Sequence, residues 1–375
     1  AGKVHAGKYT VAAEQEGVAR IDFGGTLPPQ ELSLAIDYSA PLNQQLQGLY
    51  KVSHEGQPYA MTQMEAISAR YAFPGFDEPS FKTPFSISLT IPAGDNGVAN
   101  TAQASEQPAG AGWKTLSFTP TEPLPTYLVA FAVGPWDIVK GPDITPTAYR
   151  SHTTPLRGVA AKGEGHRMQR VLAETPAIVH ALEDYYGFGY PWDKLDLLAA
   201  PDFSAGAMEN PGLVTFRDWL LLLDADAAVE YVRGAFNVTA HELAHQWTGD
   251  TVTMPWWDDI WLNESFATWM QQKVTIKLHP EYRADLDRVS GAQTAMNNDS
   301  LVSARKIRQP IVNNGDIETA FDGITYQKGA AVLGMFEGYV GEATFQRGMR
   351  AYIQQHKFAN ATADDLVDAI ATAAG

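Results

Sequence analysis

Cysteine is absent from the 375 residues, and no run of 18 or more apolar residues occurs. The first absence excludes disulfide bonds, thiolate zinc ligands and a cysteine nucleophile, which leaves histidine and carboxylate side chains as metal ligands. The second excludes a transmembrane helix. We therefore expect a soluble protein. A thiol-free chain is stable in either redox setting, so the compartment is not identified, and a periplasmic or secreted location is only slightly favoured over the cytoplasm.

Basic residues are scarce relative to acidic ones. The chain has 27 Lys and Arg against 43 Asp and Glu, which gives a formal net charge of −16. This charge repels nucleic acid and anionic membrane surfaces, so neither is expected as a partner. The first ten residues, AGKVHAGKYT, lack a basic region followed by an apolar core, so a signal peptide is not expected in them.

The length of the chain and a change in the spacing of its apolar residues near residue 152 predict two domains. In residues 1–152, short segments of alternating polarity are separated by turn-rich pieces, which predicts an antiparallel β domain of saddle or sandwich type. One helical turn is predicted at 65–71. The predicted strands lie at 17–23, 32–38, 85–91, 113–118 and 127–133.

In residues 153–375 the spacing of apolar residues becomes helical, with one short apolar strand at 195–199. Pro176 predicts a kink or a division into two helices, and Gly249 predicts a helix end. The fold class expected for the whole chain is multi-domain α+β. The predicted helices lie at 165–186, 229–248, 259–278, 328–339, 342–356 and 363–373.

A possible metal site stands in the helix predicted at 229–248. His241 and His245 are four residues apart, so both imidazoles face one side of a helix, and Glu242 follows the first of them. Two histidines leave a zinc site incomplete, and Glu264, on the next predicted helix, is a candidate third ligand. Taken singly, each of these residues is better explained as an exposed or solvated side chain on an amphipathic helix.

Four motifs in this order resemble the gluzincin aminopeptidases of the alanyl aminopeptidase (aminopeptidase N) family. They are QMEA at 63–66 with FPGFDEP at 73–79, GAMEN at 206–210, HELAH at 241–245 with NESFA at 263–267, and ITYQKGA at 324–330. The resemblance covers essentially the whole chain. It implies that the β domain is followed by a thermolysin-like, mainly helical zinc peptidase domain.

The resemblance also implies a reaction, hydrolysis of the N-terminal peptide bond by a zinc-activated water. One zinc ion would be bound by His241, His245 and Glu264. Glu242 would act as the general base, and Tyr326 would donate a hydrogen bond to the oxyanion.

The implied substrate is a peptide with a free N-terminus, because Glu209 of the GAMEN motif would pair with the α-ammonium. The other residues implied in substrate binding are Gly206, Ala207 and Met208, which the peptide would join as an added strand, Gln63 and Glu65, which would help to hold the ammonium, and Phe321 and Met64, which would line the first side-chain pocket.

Three alternatives stay open. A zinc endopeptidase shares the metal ligands but needs no amine anchor. The family includes an epoxide hydrolase activity, and a non-catalytic binding protein could retain the same fold. Family members have further strands before this region and a helical domain after it, so both ends of the chain are expected to be incomplete. The preference for the first side chain is also open.

Overall fold

The structure, a computed structural model, describes residues 4–13, 17–27 and 29–375. The first part of the chain forms three antiparallel sheets: a β1–β2 pair, a sheet in the order β3-β4-β9-β6 and a sheet in the order β5-β8-β7. The predicted antiparallel β domain is thus confirmed. Its strands are β1 (Lys8–Ala13), β2 (Val18–Asp22), β3 (Gly48–His54), β4 (Gln57–Gln63), β5 (Ser88–Pro92), β6 (Asn96–Ala99), β7 (Gln103–Pro108), β8 (Trp113–Phe118) and β9 (Phe131–Gly134).

The strand predicted at 32–38 is wrong. This segment forms no strand, and Leu32, Leu34, Ile36 and Tyr38 are between 43% and 56% exposed. Alternating polarity produces a strand only where a neighbouring strand accepts its hydrogen bonds, and no described strand pairs with this segment. The other predicted strands exist, although those at 85–91 and 127–133 begin later, in β5 and β9.

A five-stranded mixed sheet follows, in the order β10-β11-β12-β14-β13. Its strands are β10 (Asp137–Lys140), β11 (Leu156–Ala160), β12 (Leu195–Ala200), β13 (Ala207–Met208) and β14 (Leu213–Arg217). β11, β12 and β14 run parallel, whereas β13 is an antiparallel edge strand. β10 precedes residue 152 yet pairs with β11, and the domain division at that residue stays a prediction.

Helices make up most of the remaining chain. They are α1 (Gln169–Tyr186), α2 (Asp218–Leu221), α3 (Val229–His245), α4 (Trp261–Leu278), α5 (Ala284–Asp299), α6 (Asn314–Ile317), α7 (Gly329–Val340), α8 (Glu342–His356) and α9 (Ala363–Ala374), with β15 (Val252–Thr253) and β16 (Ala359–Asn360) forming a small parallel pair. α1 is one helix with Pro176 inside it, so the predicted alternative of two helices is wrong, and the predicted kink stays a prediction. α5 was not predicted, because its exposed face carries several apolar residues and blurs the helical pattern.

One continuous apolar core joins the sheet of β3 and β4 to the helices. α3 contributes Val232, Phe236 and Leu243, which recur at helical spacing and are buried. α4 is buried on nearly all sides from Leu262 to Met270, so it lies inside the molecule and packs along α3. Across the described ranges, every helix is too short or too polar to cross a lipid bilayer.

Candidate active site

The histidines of α3 and a carboxylate of α4 converge on one point. The Nε2 atoms of His241 and His245 are 3.2 Å apart, and Glu264 Oε2 lies 3.3 Å from the first and 3.4 Å from the second. Ligands about 2.0–2.1 Å from a tetrahedral zinc ion are separated by about 3.3–3.4 Å. The three atoms therefore have both the chemistry and the spacing of a zinc ligand set.

Buried contacts orient these ligands. His245 Nδ1 lies 3.3 Å from the carbonyl oxygen of Thr248, which can only accept, so Nδ1 carries the proton and Nε2 is free to bind a metal. Gly249 has a φ of 134°, and a Cβ there would lie 3.1 Å from His245 Nδ1. α3 ends at His245 and not at residue 248, as Gly249 predicted, and Gly249 instead leaves room for the His245 ring.

Electrostatics favour an ionised Glu264. Burial by itself raises the pKa of this carboxyl, but His245 and His241 lower it to about 2. Burial likewise lowers the pKa of His245, but the carboxylates of Glu209 and Glu264 raise it well above its ordinary value. The site therefore attracts positive charge, which a bound metal ion would supply.

Tyr326 stands beside the same cluster. It lies in a single π-helical turn, Ile324–Lys328, directly before α7, and its ring stacks on His241 with centroids 6.2 Å apart. Burial, and then Glu264, raise the pKa of the phenol well above its ordinary value, so it is protonated at neutral pH. It can therefore donate a hydrogen bond into the cleft.

Tyr326 and Glu264 are held near each other by a hydrogen bond between their neighbours in the chain. Ser265 Oγ donates a 2.6 Å hydrogen bond to the carbonyl oxygen of Thr325. At Gly329 a Cβ would lie only 1.8 Å from Ser265 Oγ, so only glycine permits α4 and the start of α7 to approach this closely.

Three more carboxylates lie next to the cluster. Glu242 and Glu209 are 6% and 3% exposed, and Glu209 Oε1 is 3.9 Å from His245 Nδ1. Glu65 follows the end of β4 by two residues, and its Oε1, like that of Glu209, is buried without a hydrogen-bond partner. Burial, and the neighbouring carboxylates, raise the pKa of all three groups. A cation bound among these carboxyl groups would reduce their mutual repulsion and give the unpartnered oxygens a partner.

The GAMEN segment is the antiparallel edge of the five-stranded sheet. Ala207 pairs with Phe216 and Met208 with Thr215, which leaves the outer side of β13 without a described strand. Glu209 follows directly, and Gln246 Nε2 donates to its carbonyl oxygen at 2.7 Å. Because Gln246 adjoins His245 in the chain, this bond holds the GAMEN segment next to the candidate metal ligands.

The remaining predicted site residues lie nearby with different exposure. Gln63 Nε2 contacts Met208 Sδ at 3.5 Å, which joins the end of β4 to the GAMEN segment. The side chains of Met208 and Met64 are each 1% exposed and belong to the core. Phe321 is partly buried, and its ring lies 6.4 Å from that of Trp257. Their role in substrate binding stays a prediction.

Several supporting residues were not predicted from the sequence. Asn263 Nδ2 donates to the hydroxyl of Tyr127, whose ring packs 5.3 Å from Trp257, so β-domain and helical residues meet behind Glu264. Gln246 and Asn263 each adjoin a predicted ligand in the chain, and this adjacency is the sequence feature that could have identified them as supporting residues. Tyr127 precedes Asn263 by 136 residues, and nothing local indicates the contact.

Comparison with known proteins gives two family matches. The peptidase family M1 domain matches residues 171–375, and the peptidase M1 N-terminal domain matches residues 4–128. Aminopeptidase M1-C of Oryza sativa subsp. japonica is 36% identical over 94% of this chain and 40% of its own length. The alanine/arginine aminopeptidase of Saccharomyces cerevisiae is 38% identical over 91% of this chain and 40% of its own. The chain spans about two fifths of the length of these curated relatives.

Proposed function

The chain belongs to peptidase family M1, and on this premise we propose that it is a zinc-dependent aminopeptidase that removes the first residue from peptides. The observation that carries the proposal is the position of Glu209. Its Oε1 atom is buried without a hydrogen-bond partner and lies 3.9 Å from Nδ1 of His245. An ammonium group bound to this oxygen would therefore lie next to the His241–His245–Glu264 cluster. An endopeptidase needs no such anchor.

The donor set fits a zinc ion, as the near-equal spacing of His241 Nε2, His245 Nε2 and Glu264 Oε2 indicates. A bound zinc ion would act as a Lewis acid on the scissile carbonyl and on water. Glu242 is buried beside the cluster and would accept a proton from the attacking water and return it to the leaving amine. Tyr326 would donate its phenolic proton to the carbonyl oxygen as negative charge develops there.

The substrate would be held at two places. Glu209 and Glu65 would accept hydrogen bonds from the α-ammonium, with the amide oxygen of Gln63 as a neutral acceptor, because all three have a buried oxygen without a partner. The peptide backbone would pair with the open edge of β13, where the side chain of Ala207 is a single methyl group and Gly206, directly before the strand, has none. The scissile bond would then be the first in the chain.

A pair of peptides tests this proposal. One has a free N-terminus and the other is the same peptide with an N-acetyl group. We expect mass spectrometry to show stepwise loss of single residues from the free peptide, and hydrolysis of the acetylated peptide to be slower by roughly 30-fold or more, because a buried charge pair contributes about 2 kcal/mol or more. Internal cleavage, or equal rates on both peptides, would instead identify an endopeptidase.

A further inference from the structure

A hydrogen-bond network around Arg305 adjoins the turn that carries Tyr326. Extending the proposed function, on which the inference rests, we propose that Arg305 is a positioning residue, which holds the phenol of Tyr326 where it can donate to the substrate carbonyl oxygen. Arg305 lies between α5 and α6, and its side chain is 16% exposed. Its described hydrogen bonds all go to atoms within residues 306–325, so Arg305 would act through Tyr326 and not on the substrate.

The guanidinium of Arg305 spans the residues that lead into the turn. Its Nε and Nη2 atoms donate to the two carboxylate oxygens of Asp322, at 3.1 and 2.5 Å. Nη2 also lies 3.0 Å from the carbonyl oxygen of Ala320 and 2.7 Å from Oγ1 of Thr325. One side chain therefore binds three positions in the six residues that directly precede Tyr326.

Asp322 connects Arg305 to the start of the turn. Its Oδ1 atom accepts from the backbone N–H of Ile324 at 2.8 Å and from that of Thr325 at 3.3 Å. The first N–H groups of a helical turn have no acceptor within the turn, so this carboxylate supplies one. The backbone N–H of Tyr326 donates to the carbonyl oxygen of Asp322 at 3.1 Å. Because two charge-assisted bonds from Arg305 fix the Asp322 carboxylate, they also fix the start of the turn.

Thr325 connects Arg305 to the metal-ligand helix α4. Its side chain is completely buried, and its Oγ1 atom donates to the carbonyl oxygen of Ala320 at 2.5 Å while it accepts from Arg305. Its carbonyl oxygen accepts the hydrogen bond from Ser265, the neighbour of Glu264. Thr325 directly precedes Tyr326, so the place of the phenol beside the zinc ligands depends on both contacts.

These contacts require an arginine. Nη1 of Arg305 donates to the carbonyl oxygens of Lys306 and Ile307, at 3.0 and 3.1 Å, which holds the guanidinium plane in place. A lysine would keep the charge, but its single nitrogen cannot reach Asp322, Thr325 and these carbonyl oxygens together. Arg305→Lys should therefore restore only part of what Arg305→Gln removes.

Steady-state kinetics with a double-mutant cycle test the proposal. In Arg305→Gln, kcat on a free-amine peptide should fall by at least about tenfold with zinc retained and KM little changed, because a shift of about 1 Å can cost about 10²-fold and the phenol acts only in the transition state. Arg305→Lys should lose less. Tyr326→Phe alone should lower kcat by roughly 10²- to 10³-fold. Adding Arg305→Gln to it should lower kcat by less than about twofold, because the residue through which Arg305 acts is then lost.

Hydrogen exchange of the zinc-loaded protein provides a readout without activity. In Arg305→Gln, the amides of residues 324–326 should exchange at least about tenfold faster, whereas those of α3 around His241 should not change. The matched control is Arg283→Gln, since Arg283 makes the same two-bond contact with Asp285 on an exposed surface. It should leave both kcat and exchange unchanged.

Unchanged kcat or unchanged exchange in Arg305→Gln, loss of its zinc, or a change confined to KM would each overturn the proposal. So would losses in Arg305→Gln and Tyr326→Phe that multiply in the double variant, because a general weakening of the fold acts independently of the phenol. A wild-type protein that releases no N-terminal residues would instead refute the proposed function, and the exchange rates would still decide whether Arg305 holds the turn of Tyr326.

Discussion

Replacing Glu242 with glutamine is expected to lower kcat by roughly 10²- to 10⁴-fold while zinc stays bound, because the amide cannot take up the proton of the attacking water. The side chain is 6% exposed and lies beside the His241–His245–Glu264 cluster without belonging to it, so the substitution retains all three proposed ligands. Glutamine has nearly the same shape, and the surrounding packing should not change. The measurements are kcat on a free-amine peptide and zinc content by elemental analysis.

The matched control for this variant is Glu230→Gln, since Glu230 is an exposed carboxylate on the same helix, three turns away from Glu242. It should have wild-type kcat. Near-normal turnover in Glu242→Gln with zinc bound would remove Glu242 from the reaction. Loss of zinc together with activity would mean that Glu242 acts in binding the metal.

The second large effect is expected at Glu209. Both Glu209→Ala and Glu209→Gln remove the charge that would pair with the α-ammonium, and breaking a buried charge pair costs about 2–5 kcal/mol, so kcat/KM on free-amine peptides should fall by roughly 30-fold or more. The acetylated peptide has no ammonium to lose. The ratio of kcat/KM on the free peptide to kcat/KM on the acetylated peptide should therefore approach one, chiefly because KM for the free peptide rises.

This ratio separates substrate anchoring from general damage to the site. A variant that merely distorts the cleft would slow both peptides and keep the ratio. Glutamine at position 209 keeps the backbone, including the carbonyl oxygen bound by Gln246 Nε2, so it isolates the effect of charge. Unchanged kinetics on free-amine substrates would remove the anchoring role of Glu209.

The helices around the candidate metal ligands were predictable because each carries its own signal. The two histidines share one face of α3 through a spacing of four, and α8 and the strand β8 have the predicted bounds. Such periodicity is a local property of the chain. The segment 32–38 shows its limit, since it has the alternation of a strand and no partner among the described strands.

Contacts between distant segments could not be read from any local pattern. β13 has two residues and no periodicity, yet its place at the sheet edge carries Glu209 to His245. Gln63 reaches Met208 across 145 residues of chain. Within the sequence alone, only the resemblance of their motifs to a family linked these residues. The π-helical turn that carries Tyr326 likewise depends on the packing of α4 against Gly329.

The zinc content of the dialysed protein, measured beside that of Glu264→Gln, tests the central claim most directly. Two imidazoles and one carboxylate at tetrahedral spacing predict one tightly held zinc ion per chain at neutral pH. Glu264→Gln should lose most of it, because a neutral amide is a poor zinc ligand. A wild-type protein without zinc, or a variant that holds zinc as tightly as the wild type, would contradict the account.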